Sequence, residues 1–171
     1  MPRNLEIKAR IATSARAIET ARHLGAREEG QLRQTDTYFL CRHGRLKLRE
    51  IEGERSELIA YVRPEETPQR VSSYELVPVD QPELLREILS RSLGVRAVVK
   101  KVRTLYLYGG NRIHIDEVAG LGDFIEFEVP LVSREDSGHR AMNDLMNAFG
   151  ICDGDCFRGS YVDLLTGVDL S

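Results

Sequence analysis

The sequence predicts an α+β fold, mainly β: an eight-stranded antiparallel barrel, closed into a tunnel, with a charged interior and helices packed outside. Three observations lead there. Strand-like segments with period-two alternation recur along the chain, as in Arg112, His114 and Asp116 interleaved with Ile113 and Ile115. Short turns rather than helical crossovers separate most of them, which favours antiparallel pairing. The alternating set on strand after strand mixes carboxylates with lysines and arginines, while the opposite set is apolar.

The elements follow in order. Residues 3–11 read as a strand with Glu6 and Lys8 against Leu5, Ile7 and Ala9. Thr13 or Ser14 caps a helix to about Leu24, and Gly25 stops it. Residues 32–41 are β-prone, and His43-Gly44 turns into R-L-K-L-R-E, where Lys47 and Arg49 share a face. Leu58–Arg63 is a strand ended by Pro64. Val71–Val77 follows, with Ser73 and Glu75 opposite Tyr74 and Leu76. A helix runs from about Pro82 to Ser92, stopped by Gly94. Val98–Tyr108 carries Lys101 and Arg103 on one face, so Lys100 points the other way. Gly109-Gly110 turns it into the Arg112–Asp116 strand, and after a second glycine-containing turn Glu126 and Glu128 alternate with Ile125, Phe127 and Val129. A third helix covers about Gly138–Phe149, and Tyr161–Leu165 is a short last helix that packs the C-terminal segment back on the barrel. One domain over 1–171 accommodates all of this.

Helices need an apolar surface to pack on. If Ile7, Leu48, Tyr74, Ile113, Ile115 and Phe127 supply it, the charged set turns inward. That set is Glu6, Lys8, Lys47, Arg49, Arg63, Glu75, Lys101, Arg103, Arg112, Asp116, Glu126 and Glu128. So many charges require a wet bore rather than a dry core. Bases in such a bore hold phosphate oxygens through charge-assisted hydrogen bonds. Acids beside them make sense as ligands of a divalent cation that the phosphates share, with Mg2+ or Mn2+ as the ions that prefer carboxylate oxygen. His114, on the same face, reads as a hydrogen-bonding member of the network.

Composition narrows the rest. The 171 residues carry 24 Lys plus Arg and 27 Asp plus Glu, a formal net charge of -3, which gives no nucleic-acid-binding surface. Three cysteines form no disulfide framework, and the Cys152/Cys156 spacing has no second pair to complete a zinc site. No signal segment and no run of 18 apolar residues occur, so a cytoplasmic location without membrane contact is expected. Neither glycine-rich piece is followed by the lysine and hydroxyl of a P-loop.

The ordered series N-L-E-I-K, D-T-Y-F, K-L-R, Y-V-R-P, S-S-Y-E-L, K-K-V-R, H-I-D-E-V and F-I-E-F-E-V, from Asn4 onward, resembles the CYTH superfamily, the triphosphate tunnel metalloenzymes. The resemblance implies a tunnel that takes a small triphosphate with one or two divalent metals, in a monomer or homodimer. It places Glu6, Asp116, Glu126 and Glu128 at the metal, and Lys8, Lys47, Arg49, Arg63, Lys101, Arg103 and Arg112 on the phosphates. Glu6, Lys8, Arg103 and Glu128 are the implied catalytic group. Asn4 departs from the family's first glutamate and offers a neutral oxygen instead of an anion. The implied activity is a metal-dependent triphosphatase acting on a nucleoside, thiamine or inorganic triphosphate. Class IV adenylyl cyclase is the alternative, and a non-catalytic polyphosphate-binding module the third.

Overall fold

A computed structural model describes residues 3–62, 70–131, 135–157 and 159–167. Eight strands are present: β1 (Arg3–Arg10), β2 (Arg27–Phe39), β3 (Arg45–Ile51), β4 (Ser56–Val62), β5 (Arg70–Val79), β6 (Val95–Tyr108), β7 (Asn111–Val118) and β8 (Gly122–Pro130). The helices are α1 (Ser14–His23), α2 (Pro82–Leu93), α3 (Glu135–Phe149) and α4 (Tyr161–Leu165). All ladders are antiparallel.

The strands follow one another in the ring order β1-β5-β4-β3-β2-β6-β7-β8, but the expected closed tunnel needs correction. Among the described residues, the seam between β1 and β5 is four residue pairs long, from Arg3 with Ser73 to Glu6 with Arg70. On the other side of β1, the β8 ladder runs seven pairs, from Asn4 to Arg10. Among the described residues, Tyr74–Val79 therefore pair with β4 and have no β1 partner. Both faces of β5 meet solvent there: Leu76, which lines the cavity, is 42% exposed, and Val77 on the opposite face is 58% exposed. The sheet is a curled barrel left open on its β4–β5 side. The physical reason is stagger: β5 meets β1 through Arg70–Ser73, while Tyr74–Val79 continue along β4.

The main core lies outside the sheet. Leu5, Ile7 and Ala9 of β1, Ile113 and Ile115 of β7, and Ile125, Phe127 and Val129 of β8 form one apolar face, covered by Ala17 and Ala21 of α1 and Met142, Leu145 and Met146 of α3. Thr13 caps α1 through its hydroxyl to the Arg16 amide, as the sequence predicts. By contrast α2 buries no residue fully and sits over β2 and β3, tied by Arg86 to Glu50. A second cluster of Tyr38, Val99, Val118, Phe124, Tyr161 and Val162 fills one end of the barrel, with α4 as its lid.

Two local expectations are revised. Strand β2 starts at Arg27 rather than 32, because a register shift between Glu28 and Gly30, with Gly30 at φ 135, breaks the alternation that would mark it. On β5, Tyr74 and Leu76 line the cavity, and Glu75 is exposed on the outer face. The register fixes this, since Tyr74 opposes Tyr61 and Leu76 opposes Ile59, both cavity-lining. Arg63 lies outside the described residues.

Candidate functional site

The inward set of the strands builds a cavity of about 360 Å3, within the size of small-molecule sites. Asn4, Glu6 and Lys8 come from β1, Lys47 and Arg49 from β3, Lys101 and Arg103 from β6, Arg112 and His114 from β7, and Glu126 and Glu128 from β8. Period two puts each set on one face, and antiparallel register then aligns them: Glu6 opposes Glu128 and Lys8 opposes Glu126 across β1 and β8. Lys100 is exposed on the outer face while Lys101 is buried.

Two ionic groups share the cavity. The first is centred on Asp36 of β2, which is buried and accepts from Lys47 Nζ at 3.0 Å, Arg49 Nε and Nη2 at 2.8 Å each, and Lys101 Nζ at 3.2 Å. Burial alone would raise the Asp36 carboxyl, but Arg49, Lys101 and Lys47 outweigh it and hold it well below the usual carboxylate range. Burial lowers the Lys101 ammonium well below its usual range, and a bound polyanion would favour its charged form, so the group offers one anion to up to three cations.

The second group is centred on Arg103. Its fork is bidentate to Asp116 at 2.7 Å, and Nη2 also reaches Glu126 Oε2 at 2.7 Å. The Tyr161 hydroxyl donates to Asp116 Oδ2 at 2.7 Å, so the tyrosine of α4 completes the shell of that carboxylate. Lys8 pairs with Glu126 Oε1 at 3.0 Å and lies 4.2 Å from the centre of the Tyr161 ring, a cation–π contact. The α4 lid is anchored by Asp163, which accepts from Arg45 and Arg96 and caps the helix through Ser160.

Near the Arg103 group, His114, Glu126 and Glu128 each offer a ligand atom within 4.8 Å of the others. His114 Nδ1 is buried with no hydrogen-bond partner. It stands 3.7 Å from Glu126 Oε2 and 3.6 Å from Glu128 Oε1, too far for a hydrogen bond. Donors that each sit about 2.1 Å from a shared divalent ion lie roughly 3 to 3.5 Å apart, so His114 Nδ1 stands slightly farther from the two carboxylates than ligands of one ion do, and a small side-chain adjustment brings them to it. A buried imidazole nitrogen facing two carboxylates is capable of coordinating a divalent cation with them. Asp116 is not part of this triad; Arg103 and Tyr161 hold its oxygens, as Lys8 and Arg103 hold those of Glu126. Glu6 lines the cavity opposite Glu128.

Asp36 and the ligand-type placement of His114 were not anticipated from the sequence. The signal for Asp36 was its phase: Gln34, Asp36 and Tyr38 alternate inward on β2 and pair with β3 residues of the same face. Tyr161 was expected to pack α4 back on the barrel; it does, and its hydroxyl also reaches the charged cluster.

Burial lowers the Lys47 ammonium to about 8, helped by Arg49 and opposed by Asp36. Added phosphate charge favours its protonated form. Triphosphate affinity is therefore expected to weaken as pH rises through 8, by up to about tenfold per pH unit for this lysine until the pKa of the bound form is passed, and Lys101, which burial lowers as well, adds to the loss. Binding above pH 8 should take up a proton, which calorimetry in buffers of different ionisation enthalpy reads directly; pH-independent affinity between 7 and 9 would contradict it.

Comparisons with known proteins agree with this geometry. "Putative adenylate cyclase MJ0240" of Methanocaldococcus jannaschii is 27% identical over 172 residues, covering 94% of this chain and 97% of that protein. Among solved structures, the PH1012 protein of Pyrococcus horikoshii OT3 superposes with a TM-score of 0.85 at 24% identity, covering 94% of this chain and 98% of the other. "Putative adenylyl cyclase HpAC1 from Hippeastrum", for which a dominant triphosphatase activity is stated, superposes with a TM-score of 0.69 at 13% identity over 99% and 98% of the two chains. The CYTH domain model matches residues 2–161. With that match spanning nearly the whole chain, and an ionic cavity inside a curled eight-stranded sheet, the protein belongs to the CYTH domain family of triphosphate tunnel metalloenzymes.

Proposed function

We propose that the protein is a divalent-metal-dependent triphosphatase. The observation that carries the reading is the juxtaposition, in one cavity, of a His114–Glu126–Glu128 triad and a convergent set of cations. Lys47, Arg49, Lys101, Arg103 and Arg112 hold phosphate oxygens, with Arg63 as a further candidate. Lys8 and Arg103, already seated on Glu126, balance charge that develops on the terminal phosphoryl group. A divalent cation bound at the triad would neutralise phosphate oxygens and polarise water. Imidazole beside two carboxylates favours Mn2+ over Mg2+ at that position, because Mg2+ prefers an all-oxygen shell.

Water attacks the terminal phosphorus, the bond from that phosphorus to its bridging oxygen breaks, and diphosphate bearing its substituent leaves. Glu128, held among the described residues by Arg112 at 3.2 Å and by the more distant His114, is the carboxylate placed to take the proton from water, with Glu6 opposite it in register. Asp116 acts by orienting Arg103.

The name of the Methanocaldococcus relative favours a second reading, cyclisation. There a ribose 3'-hydroxyl attacks the α-phosphorus and pyrophosphate leaves. A product screen separates the two. The protein is incubated with Mn2+ or Mg2+ and, separately, tripolyphosphate, thiamine triphosphate or ATP. Orthophosphate release is the expected result, cyclic AMP with pyrophosphate would establish cyclisation, and triphosphate binding without either product would leave only a binding module.

A further inference from the structure

The cavity has an apolar side that the phosphate and metal groups do not use. Leu32 of β2, Ile51 of β3 and Leu105 of β6 line it beside Gln34, and Ile59 and Leu76 line the β4–β5 wall. Gln34 is 5% exposed, and its side-chain oxygen is buried with no hydrogen-bond partner. In register it lies between Ile51 and Lys101, and the cavity cations Lys101 and Arg49 are committed elsewhere. Lys101 Nζ reaches Asp36, and Arg49 Nε and Nη2 do the same. An acceptor left unpaired in a buried site carries a desolvation cost that a ligand donor would remove. Glu54 and Glu57 line the same cavity, adding acceptor character near that end.

Inorganic tripolyphosphate presents only acceptors and negative charge at neutral pH. It offers no donor to the Gln34 carboxamide oxygen, and it gains nothing from an aliphatic surface. A flat ring with an exocyclic amine fits both features: its faces meet Leu32, Ile51 and Leu105, and its N–H donates to the orphaned oxygen. We infer that Gln34 and the surrounding aliphatic side chains form a subsite for an amino-substituted heteroaromatic ring carried by the triphosphate, with Gln34 as its specificity-determining residue. The inference rests on the triphosphate reading of the cavity. The shared chemistry is an aminopurine or aminopyrimidine, and the two sources are a nucleotide and a thiamine-type phosphate.

Binding to the full-length protein is measured calorimetrically with ATP, purine riboside triphosphate (which lacks the 6-amino group), thiamine triphosphate and tripolyphosphate, for the native protein and Gln34→Leu. One hydrogen bond to a buried acceptor corresponds to about a tenfold preference for the amino-bearing ligand. The native protein should favour ATP or thiamine triphosphate by that factor over the ligand lacking an amine, and Gln34→Leu should remove the preference while leaving tripolyphosphate affinity unchanged. Whichever of ATP and thiamine triphosphate loses affinity identifies the source of the ring. The thermal midpoint of Gln34→Leu should not fall, since the change removes an unpaired acceptor; a lowered midpoint with equal losses for every ligand would mean that Gln34 supports the fold only. Tripolyphosphate binding with no ring preference, a water satisfying the oxygen, overturns the subsite alone. Failure of the native protein to bind any of the four overturns the triphosphate reading and the subsite with it.

Discussion

Replacing Glu128 with Gln is expected to lower metal-dependent turnover by on the order of a hundredfold or more, with the fold intact. The amide keeps the size of the side chain but removes the anion and one strong metal-ligating oxygen. Structurally the residue is lightly committed. Its ion pair with Arg112 is 3.2 Å long, and the Arg112 side chain is 46% exposed, so the pair contributes little to stability. Glu126 is a poorer choice for this test, because Lys8 and Arg103 both lean on it and its loss would disturb the whole cluster. Phosphate release measured over a Mn2+ titration, with circular dichroism as the control, reads the outcome. Full activity in Glu128→Gln at saturating metal would remove the residue from the proposed chemistry.

Asp36→Asn should give the largest loss of stability. A buried carboxylate that holds Lys47, Arg49 and Lys101 together cannot be neutralised without leaving the Arg49 guanidinium unpaired and pushing the two lysines, already lowered by burial, further toward their neutral forms. Removing one partner of a buried ion pair costs about 3–5 kcal/mol. Chemical denaturation should show this as a lower midpoint. Tripolyphosphate should restore the variant more than it stabilises the native protein, because the bound anion replaces the missing charge. Equal stabilisation of both proteins would mean that the three cations do not face the ligand. The linkage sign agrees with this role. The Asp36 carboxyl is depressed in the folded state, so its contribution is present above the ordinary carboxylate pKa of about 3.9 and is lost as pH falls below it.

Much of the site was legible because alternation is local. Glu6 with Lys8, Lys47 with Arg49, Lys101 with Arg103, and Glu126 with Glu128 are each two apart, and a strand must put such pairs on one face. What alternation leaves open is which face turns inward when both are mixed. On β5 the set Val71, Ser73, Glu75 and Val77 looks as suitable for the interior as Tyr74 with Leu76, and only pairing with Ile59 and Tyr61 decides it. Asp36 escaped for a related reason. Between Thr35 and Thr37, and next to Tyr38 and Phe39, it reads as part of a packing strand, whereas its role comes from three cations on β3 and β6. The register break at Gly30 hid the first turn of β2 in the same way.

By itself the sequence determined the strands, the helix positions, the residues that share a face and the family to which they belong, because hydrophobic period and side-chain chemistry act over a few neighbouring residues. Only the tertiary structure decided that His114 faces Glu126 and Glu128, that Tyr161 seals Asp116, that Gln34 keeps an unpaired oxygen, and that the wall stays open beside β5. Those are matters of register and stagger between strands distant in the chain, set by how the ladders meet around the curled sheet.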